Sequence, residues 1–235
     1  MERCPVFKDG KPAQNFPQFY DTHINKTIPY YQAFHTEIIN LVKAMGHEPA
    51  LWLDTGCGTG TLVGKAINEF HKTGFILADP SAEMMDVAKN KLAGQPADRY
   101  KFLARGTTQD IVLAADEHPD VITAVLCHHY LQEEGRILAT NRCFELLKKG
   151  GLYITFENVR PFTSFGTELG KANWKNYQLT AGKQLNEVEE HIKRFGTEYF
   201  PITVEDHLLL LRRCGFPLVE LFWYSYMQAG FYCIK

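Results

Sequence analysis

The chain has 235 residues, 45% of them hydrophobic and 13% aromatic, which favours one α/β core with a small elaboration over two domains. Its 25 Lys and Arg residues against 27 Asp and Glu give a net charge of −2, so nucleic acid is an unlikely partner. The six cysteines are widely spaced, which argues against a zinc site and a disulfide framework and favours the cytoplasm. No apolar run is long enough to span a bilayer.

The N-terminal region, residues 1–48, is expected to form an arm and a helix. Residues 1–20 are rich in proline, polar and aromatic residues and predict an irregular arm. From Tyr31 to Met45 apolar residues recur at helical spacing, and Gly46 supplies a stop.

Strands and helices then alternate through the middle of the chain. Five apolar runs are predicted as strands, at residues 51–54, 75–78, 100–104, 121–127 and 152–156. A helix follows the first strand through about Phe70, Ser81 caps the next one, and residues 131–149 form a long helix closed by Gly150 and Gly151. This alternation predicts parallel βαβ units and a doubly wound, Rossmann-like sheet.

The C-terminal part departs from this alternation. A helix-rich insert at 161–200 is predicted to cover the site like a lid, and residues 203–214 form one more helix. Two strands, 218–226 and 230–234, are joined by too few residues for a crossover and must be antiparallel. The chain, 1–235, is therefore expected to be a single domain around a mainly parallel seven-stranded sheet with an antiparallel C-terminal strand.

A glycine-rich turn after the first strand is the main chemical signal. Asp54 ends the strand, and Gly56, Gly58 and Gly60 lead into a helix. Glycine lets the backbone turn tightly and lets a ligand approach the main chain, and the helix start offers unpaired N–H groups. The dinucleotide fingerprint G-x-G-x-x-G would need its third glycine at Thr61, one residue later than in this chain. An acid before the turn also suits a cationic sulfonium better than a pyrophosphate.

Polar residues also follow the second and third predicted strands, at the edge of the sheet where the glycine turn is expected. Asp79 lies at the tip of the second strand, where a carboxylate can accept hydrogen bonds from both ribose hydroxyls, although a turn or cap would use the same residue type. Residues 106–110 follow the third strand and would place polar groups at the edge of an adenine, with a helix N-cap as the alternative. Together these features predict a nucleoside site at the carboxyl ends of the strands.

This order of motifs resembles the class I S-adenosylmethionine (SAM)-dependent methyltransferase superfamily over nearly the whole chain. The resemblance implies a SAM cofactor, released as S-adenosylhomocysteine (SAH), with the glycine turn at the methionine end and Asp79 on the ribose. The residues expected to bind the cofactor are Tyr31, Asp54, Gly56, Cys57, Gly58, Asp79, Pro80, Met84, Thr107, Thr108, Gln109 and Cys127.

A narrower resemblance is to the bacterial carboxy-SAM synthase family. It rests on residues 26–31, 193–194 and 203–207 and on the closing aromatic hairpin. By that analogy Tyr31 would reach over SAM, and Arg194 would hold a carboxylate at the sulfonium.

Candidates for substrate chemistry lie at the ends of the fourth and fifth strands, in the insert and in the arm. His128 could take a proton from an acceptor near neutral pH, with packing or capping as the alternative. The other substrate-side candidates are Tyr20, Glu157, Arg194 and Tyr199. Four aromatic residues could form a lid over the sulfonium by cation–π attraction or simply pack the arm, namely Phe19, Tyr20, Tyr30 and Tyr31. No metal ion is expected.

These features predict methyl transfer from SAM to a small-molecule N, O or S nucleophile by direct displacement, in a monomer or homodimer. The protein would chiefly align the acceptor and exclude water. Carboxy-SAM synthesis, modification of tRNA and non-enzymatic regulation by SAM binding are the alternatives.

Overall fold

The computed structural model describes residues 17–235, and the part of the predicted arm over 1–16 lies outside that range. Two helices come first, α1 over Pro17–Thr27 and α2 over Tyr31–Ala44. The start of α1 corrects the prediction of an irregular arm as far as residue 20. Proline is well tolerated in the first turn of a helix, so its presence there does not predict irregular chain.

Seven strands form one mixed sheet. They are β1 (Leu51–Thr55), β2 (Gly74–Ala78), β3 (Tyr100–Phe102), β4 (Val121–Val125), β5 (Leu152–Asn158), β6 (Leu218–Ser225) and β7 (Gln228–Ile234). The spatial order is β3-β2-β1-β4-β5-β7-β6, and every neighbouring pair is parallel except the two that involve β7. The predicted Rossmann-like sheet with an antiparallel C-terminal strand is confirmed.

Helices cover both faces of this sheet. The remaining ones are α3 (Thr61–Glu69), α4 (Ala82–Leu92), α5 (Glu133–Leu146), α6 (Ser164–Thr180), α7 (Leu185–Lys193) and α8 (Val204–Arg213). Successive strand residues point to opposite faces, so Trp52 packs in the cluster with α2 and α3, whereas Leu53 packs in the cluster with α5 and α8. No helix within residues 17–235 is long and apolar enough to cross a membrane.

Helix α5 is shorter at both ends than the sequence predicts. Leu131 and Gln132, which follow a 3-10 turn over His128–Tyr130, have extended dihedral angles, so the helix begins only at Glu133. Leu147 also has extended dihedral angles, so the helix does not reach Gly150. Strand β4 is also shorter than predicted, because Leu126 adopts a left-handed φ of 54° that an extended strand cannot contain. The connection between β4 and α5 is therefore an irregular turn at the carboxyl edge of the sheet.

The insert of α6 and α7 packs against α1. Trp174 is fully buried, and its Nε1 donates to the carbonyl oxygen of Thr27 at 2.6 Å. The hydroxyl of Tyr177 donates to the carbonyl oxygen of Asn25 at 2.7 Å. The first helix and the insert thus form one layer next to the carboxyl ends of the strands.

Candidate functional site

The glycine turn after β1 has a backbone that only glycine adopts readily. Gly56, Gly58 and Gly60 have φ values of 62°, 54° and 68°. A Cβ atom at Gly56 would lie 2.5 Å from the Cβ of Cys127, whereas one at Gly58 would meet nothing within 4 Å. At Gly56 the turn is therefore in close contact with Cys127, just after β4, whereas there is open space beside Gly58.

Two buried carboxyl groups flank this turn. Asp54 is 2% exposed and accepts a hydrogen bond from the Thr123 hydroxyl at 2.7 Å. Asp79 accepts from the backbone N–H groups of Gly58 and Ser81, each at 2.8 Å. Burial raises the pKa of both carboxyl groups, that of Asp54 to about 7. Neither is ion-paired with a described residue, so the turn is suited to a cationic ligand.

A cleft of about 480 Å³ opens beside the turn, at the carboxyl ends of the strands. The predicted residues that line it are Tyr20, Gly56, Gly58, Asp79, Pro80, Met84, Thr107, Thr108, Gln109, Cys127 and His128. A cavity of about 30 Å³ on the other side of the turn is lined by Tyr31, Asp54 and Cys57 among others. Every residue predicted to bind the cofactor borders one of these two spaces.

The turn after β3 serves as both a cap and a wall of the cleft. The Asp110 carboxylate accepts hydrogen bonds from the backbone N–H and the hydroxyl of Thr107, as the predicted N-cap alternative requires. Gln109 lines the cleft, and its Oε1 atom is buried with no hydrogen-bond partner among the described residues. An N–H donor of a ligand, such as the exocyclic amino group of adenine, would satisfy it.

His128 is held from both sides of its ring. Its Nε2 atom lies 3.1 Å from the Thr108 hydroxyl, and its Nδ1 atom lies 3.4 Å from the Tyr153 hydroxyl. The side chain is buried, and burial lowers its pKa below the usual range. These contacts place His128 in the floor of the cleft, and its geometry fits packing better than exchange of a proton with an acceptor.

Glu157 lies outside the cleft, in contrast to the position predicted for it. Its carboxylate accepts from the backbone N–H groups of His128 and His129 at 3.1 and 2.9 Å and from Nδ1 of His129 at 2.7 Å. These contacts lower the pKa of Glu157 to about 2 despite its burial. Strand β5 continues to Asn158, which pairs with Gln228 of β7, so Glu157 is a strand residue that shapes the turn after β4.

A second space, the side chamber, adjoins the cleft. It measures about 60 Å³, and Tyr20, Leu126 and Tyr130 line both spaces. Arg194 and Tyr199, two of the predicted substrate residues, line the side chamber and not the cleft. They come from the α7 end of the insert, so the insert covers the region next to the cleft.

Two of the four aromatic residues predicted to form a lid border the site. Tyr20 lines the cleft and Tyr31 is buried beside the glycine turn. Phe19 is 51% exposed and Tyr30 is 58% exposed, and Tyr30 lies 6.3 Å, centroid to centroid, from Trp223. Phe19 lies near the start of α1 and Tyr30 in the turn before α2, and neither borders the cleft or the small cavity beside the glycine turn.

The contacts of Asp21 were not predicted from the sequence. Asp21 of α1 accepts from the hydroxyls of Thr59 and Thr61 at 2.7 and 3.0 Å and pairs with Lys91 at 2.6 Å. It therefore fastens α1 to the start of α3 and to α4. A single acid on an otherwise polar helical face carries no signal of this role in the sequence.

Comparisons with known proteins agree with this arrangement. A family model described as a methyltransferase domain matches residues 53–153, which contain the glycine turn and Asp79. The carboxy-S-adenosyl-L-methionine synthase of Staphylococcus epidermidis is 23% identical over 98% of this chain and 96% of its own length. A tRNA (guanine-N(7)-)-methyltransferase of Acetivibrio thermocellus is 25% identical over 76% of this chain and 69% of its own length.

Solved structures share the fold. A putative O-methyltransferase from Nostoc punctiforme superposes with a TM-score of 0.67 at 15% identity, over 95% of this chain and 61% of that one. Human N-acetylserotonin methyltransferase, solved in complex with SAM, gives 0.56 at 15% identity, over 97% and 61%. This chain therefore spans about three-fifths of the length of those two structures.

The seven-stranded sheet, the glycine turn and the methyltransferase domain matched over residues 53–153 support a class I SAM-dependent methyltransferase. The carboxy-SAM synthase relative and the SAM-bound neighbour support SAM as the cofactor.

Proposed function

We propose that the enzyme methylates an O, N or S nucleophile of a small molecule. The observation that carries this proposal is the connection between two spaces. The cleft, large enough for a nucleoside, meets the side chamber at Tyr20, Leu126 and Tyr130. A small acceptor in that second space would lie next to the cofactor. The net charge of −2 gives no electrostatic support for a nucleic-acid acceptor.

The residues of the site fit SAM group by group. Asp79 would accept from the ribose hydroxyls, and the unpartnered Oε1 of Gln109 would accept from the adenine amino group. Asp54 and Tyr31 border the small cavity beside the turn, where the charged methionine end would lie. When bound, SAM supplies an activated methyl group, which a nucleophile takes by direct displacement of the sulfur, leaving SAH.

The chain itself contributes alignment and exclusion of water. Tyr20 and Tyr130 stand between the cleft and the side chamber, so they would orient an acceptor that reaches from one to the other. Holding the two reactants in line removes much of the entropic cost of their encounter.

Calorimetric titration with SAM tests the cofactor site. We expect Asp79→Ala to weaken binding by about 1–3 kcal/mol, roughly 5- to 150-fold, because hydrogen bonds to a charged group are lost. The control is Asp86→Ala, which removes an exposed ion pair with Lys89 on α4. Equal affinity in the wild type and Asp79→Ala would contradict the assignment of the site.

A transfer assay with methyl-labelled SAM tests the acceptor class. We expect label to enter members of a panel of small hydroxy, amino and thiol compounds and not to enter tRNA. Labelled tRNA, or a panel without a single product, would overturn the small-molecule proposal.

Carboxy-SAM formation is a second candidate, favoured by the position of Arg194 in the side chamber and by the relative in Staphylococcus epidermidis. Mass spectrometry of the cofactor that remains bound through purification separates the two. SAM or SAH supports methyl transfer, and a carboxylated sulfonium supports the second candidate.

A further inference from the structure

Lys183 is a buried cation in the wall of the side chamber. It lies in the turn between α6 and α7 and is 7% exposed. Its Nζ atom donates to the Thr27 hydroxyl at 3.1 Å and to Oε1 of Gln178 at 3.2 Å. Both partners are neutral, and no carboxylate among residues 17–235 lies within 4 Å of the ammonium.

An ammonium group carries three protons, and two of those of Lys183 are used. The third has no partner in the described part of the chain. Burial lowers the pKa of Lys183 to about 8, so the group is mostly cationic at neutral pH. A buried charge without a counter-ion is costly, and an anion in the side chamber would offset that cost.

His191 offers a second donor to the same chamber. Because Oε1 of Gln178 accepts from Lys183, the amide nitrogen of Gln178 faces Nδ1 of His191 at 3.1 Å. Nδ1 is therefore the acceptor, and the proton of the neutral ring is on Nε2. Burial lowers the pKa of His191 to about 3, so the ring stays neutral and keeps this tautomer.

Two other charged side chains, Arg194 and Glu187, line the chamber. Nε of Arg194 donates to the carboxylate of Glu198 at 2.7 Å. The carboxylate of Glu187 caps α7 by accepting from the backbone N–H of Gln184, and from beyond ion-pair distance its charge raises the pKa of Lys183 against the effect of burial. Lys183 therefore has no carboxylate of the described chain in direct contact.

We propose that the side chamber binds a carboxylate of the methyl acceptor, with Lys183 as its counter-ion, so that the substrates are small carboxylic acids. This inference rests on the proposed function, since it places the nucleophile of the acceptor near the cleft. The chamber, at about 60 Å³, is much smaller than the cleft of about 480 Å³. The carboxylate would lie in the chamber, and the rest of the acceptor would extend past Tyr20 and Tyr130.

Binding to the SAH-loaded full chain tests the inference without turnover. The probes are benzoate and benzamide, which share a shape and differ in charge, titrated by calorimetry at pH 7. We expect benzoate to bind at least 10-fold more tightly than benzamide in the wild type. Lys183→Met should remove this preference, and Lys175→Met, which breaks an exposed ion pair with Glu189 on the same insert, should leave it intact.

Each outcome has one meaning. Failure of SAH itself to bind would refute the cofactor site and the proposed function. With SAH bound, equal affinities for the two probes, no binding of either, or a preference that survives in Lys183→Met would overturn the carboxylate site alone. If Lys183→Met does not fold, a crystal structure of the wild type with benzoate decides, since the carboxylate must then lie within hydrogen-bond distance of Nζ of Lys183.

Discussion

Asp54 and Asp79 lie near the ends of neighbouring strands, and burial raises the pKa of both carboxyl groups. Asp79 accepts two backbone N–H bonds, which favour its charged form. Asp54 has a single hydroxyl donor, so burial dominates and its pKa rises to about 7. In the chain without cofactor, Asp54 is therefore about half protonated at neutral pH.

This state predicts a pH dependence of SAM affinity. A sulfonium or ammonium group near Asp54 favours the carboxylate, so binding below pH 7 must release a proton. Affinity should rise as the pH increases from about 5.5 to 7 and level off above it, by at most about tenfold per pH unit. Calorimetry across this range measures it, and Asp54→Asn should flatten the dependence that this group causes. An unchanged slope in that variant would assign the effect to another group.

Among the elements of the site, α1 is held in position by side-chain contacts, whereas the strands are held by the sheet. Helix α1 brings Tyr20 to the cleft, and Asp21 ties it to the start of α3 and to α4. The strand ends are held by main-chain pairing, so they do not rely on any one such contact.

Removal of the Asp21 contact should loosen α1 without unfolding the sheet. We expect Asp21→Ala to raise the dissociation rate of SAM by roughly 5-fold, equivalent to about 1 kcal/mol. Stopped-flow displacement of SAM measures this rate. Glu69→Ala, which breaks an exposed ion pair with Lys43 between α2 and α3, is the matched control and should leave the rate unchanged. Equal rates in both variants would show that Asp21 does not hold α1 closed.

In the whole molecule, the side chamber is formed where the insert packs against α1, two segments that are far apart in the sequence. Trp174 of α6 is fully buried, donates to Thr27 and stacks edge-on against His191 with ring centroids 4.8 Å apart. It thus packs beneath the side chamber and joins α1, α6 and α7.

Truncation of this side chain should destabilise the chain strongly. We expect Trp174→Ala to lower the free energy of unfolding by about 3–5 kcal/mol, because a large buried side chain leaves a cavity. Leu169→Ala on the same helix removes a side chain that is 61% exposed and should cost less than about 0.5 kcal/mol. Urea denaturation compares the two, and similar midpoints would mean that the insert is not coupled to the core through Trp174.

The alternation of strands and helices, the antiparallel C-terminal hairpin and the meeting of Asp79 with the glycine turn could all be predicted from local patterns. Hydrophobic periodicity determines each element, and the carboxyl ends of parallel strands meet at one edge of the sheet. That rule alone brings Asp79 and the turn at Gly58 together, and the structure joins them by a hydrogen bond of 2.8 Å.

The tertiary structure decided which side chains enter the site. Glu157 was predicted to face the cleft, but the pairing of β5 with β7 extends the strand and buries its carboxylate. Lys183 would ordinarily be a solvated residue of a short turn, and it is buried because its partner Thr27 lies 156 positions away in the chain. Contacts of this range depend on packing between whole elements, and neither periodicity nor a local motif encodes them.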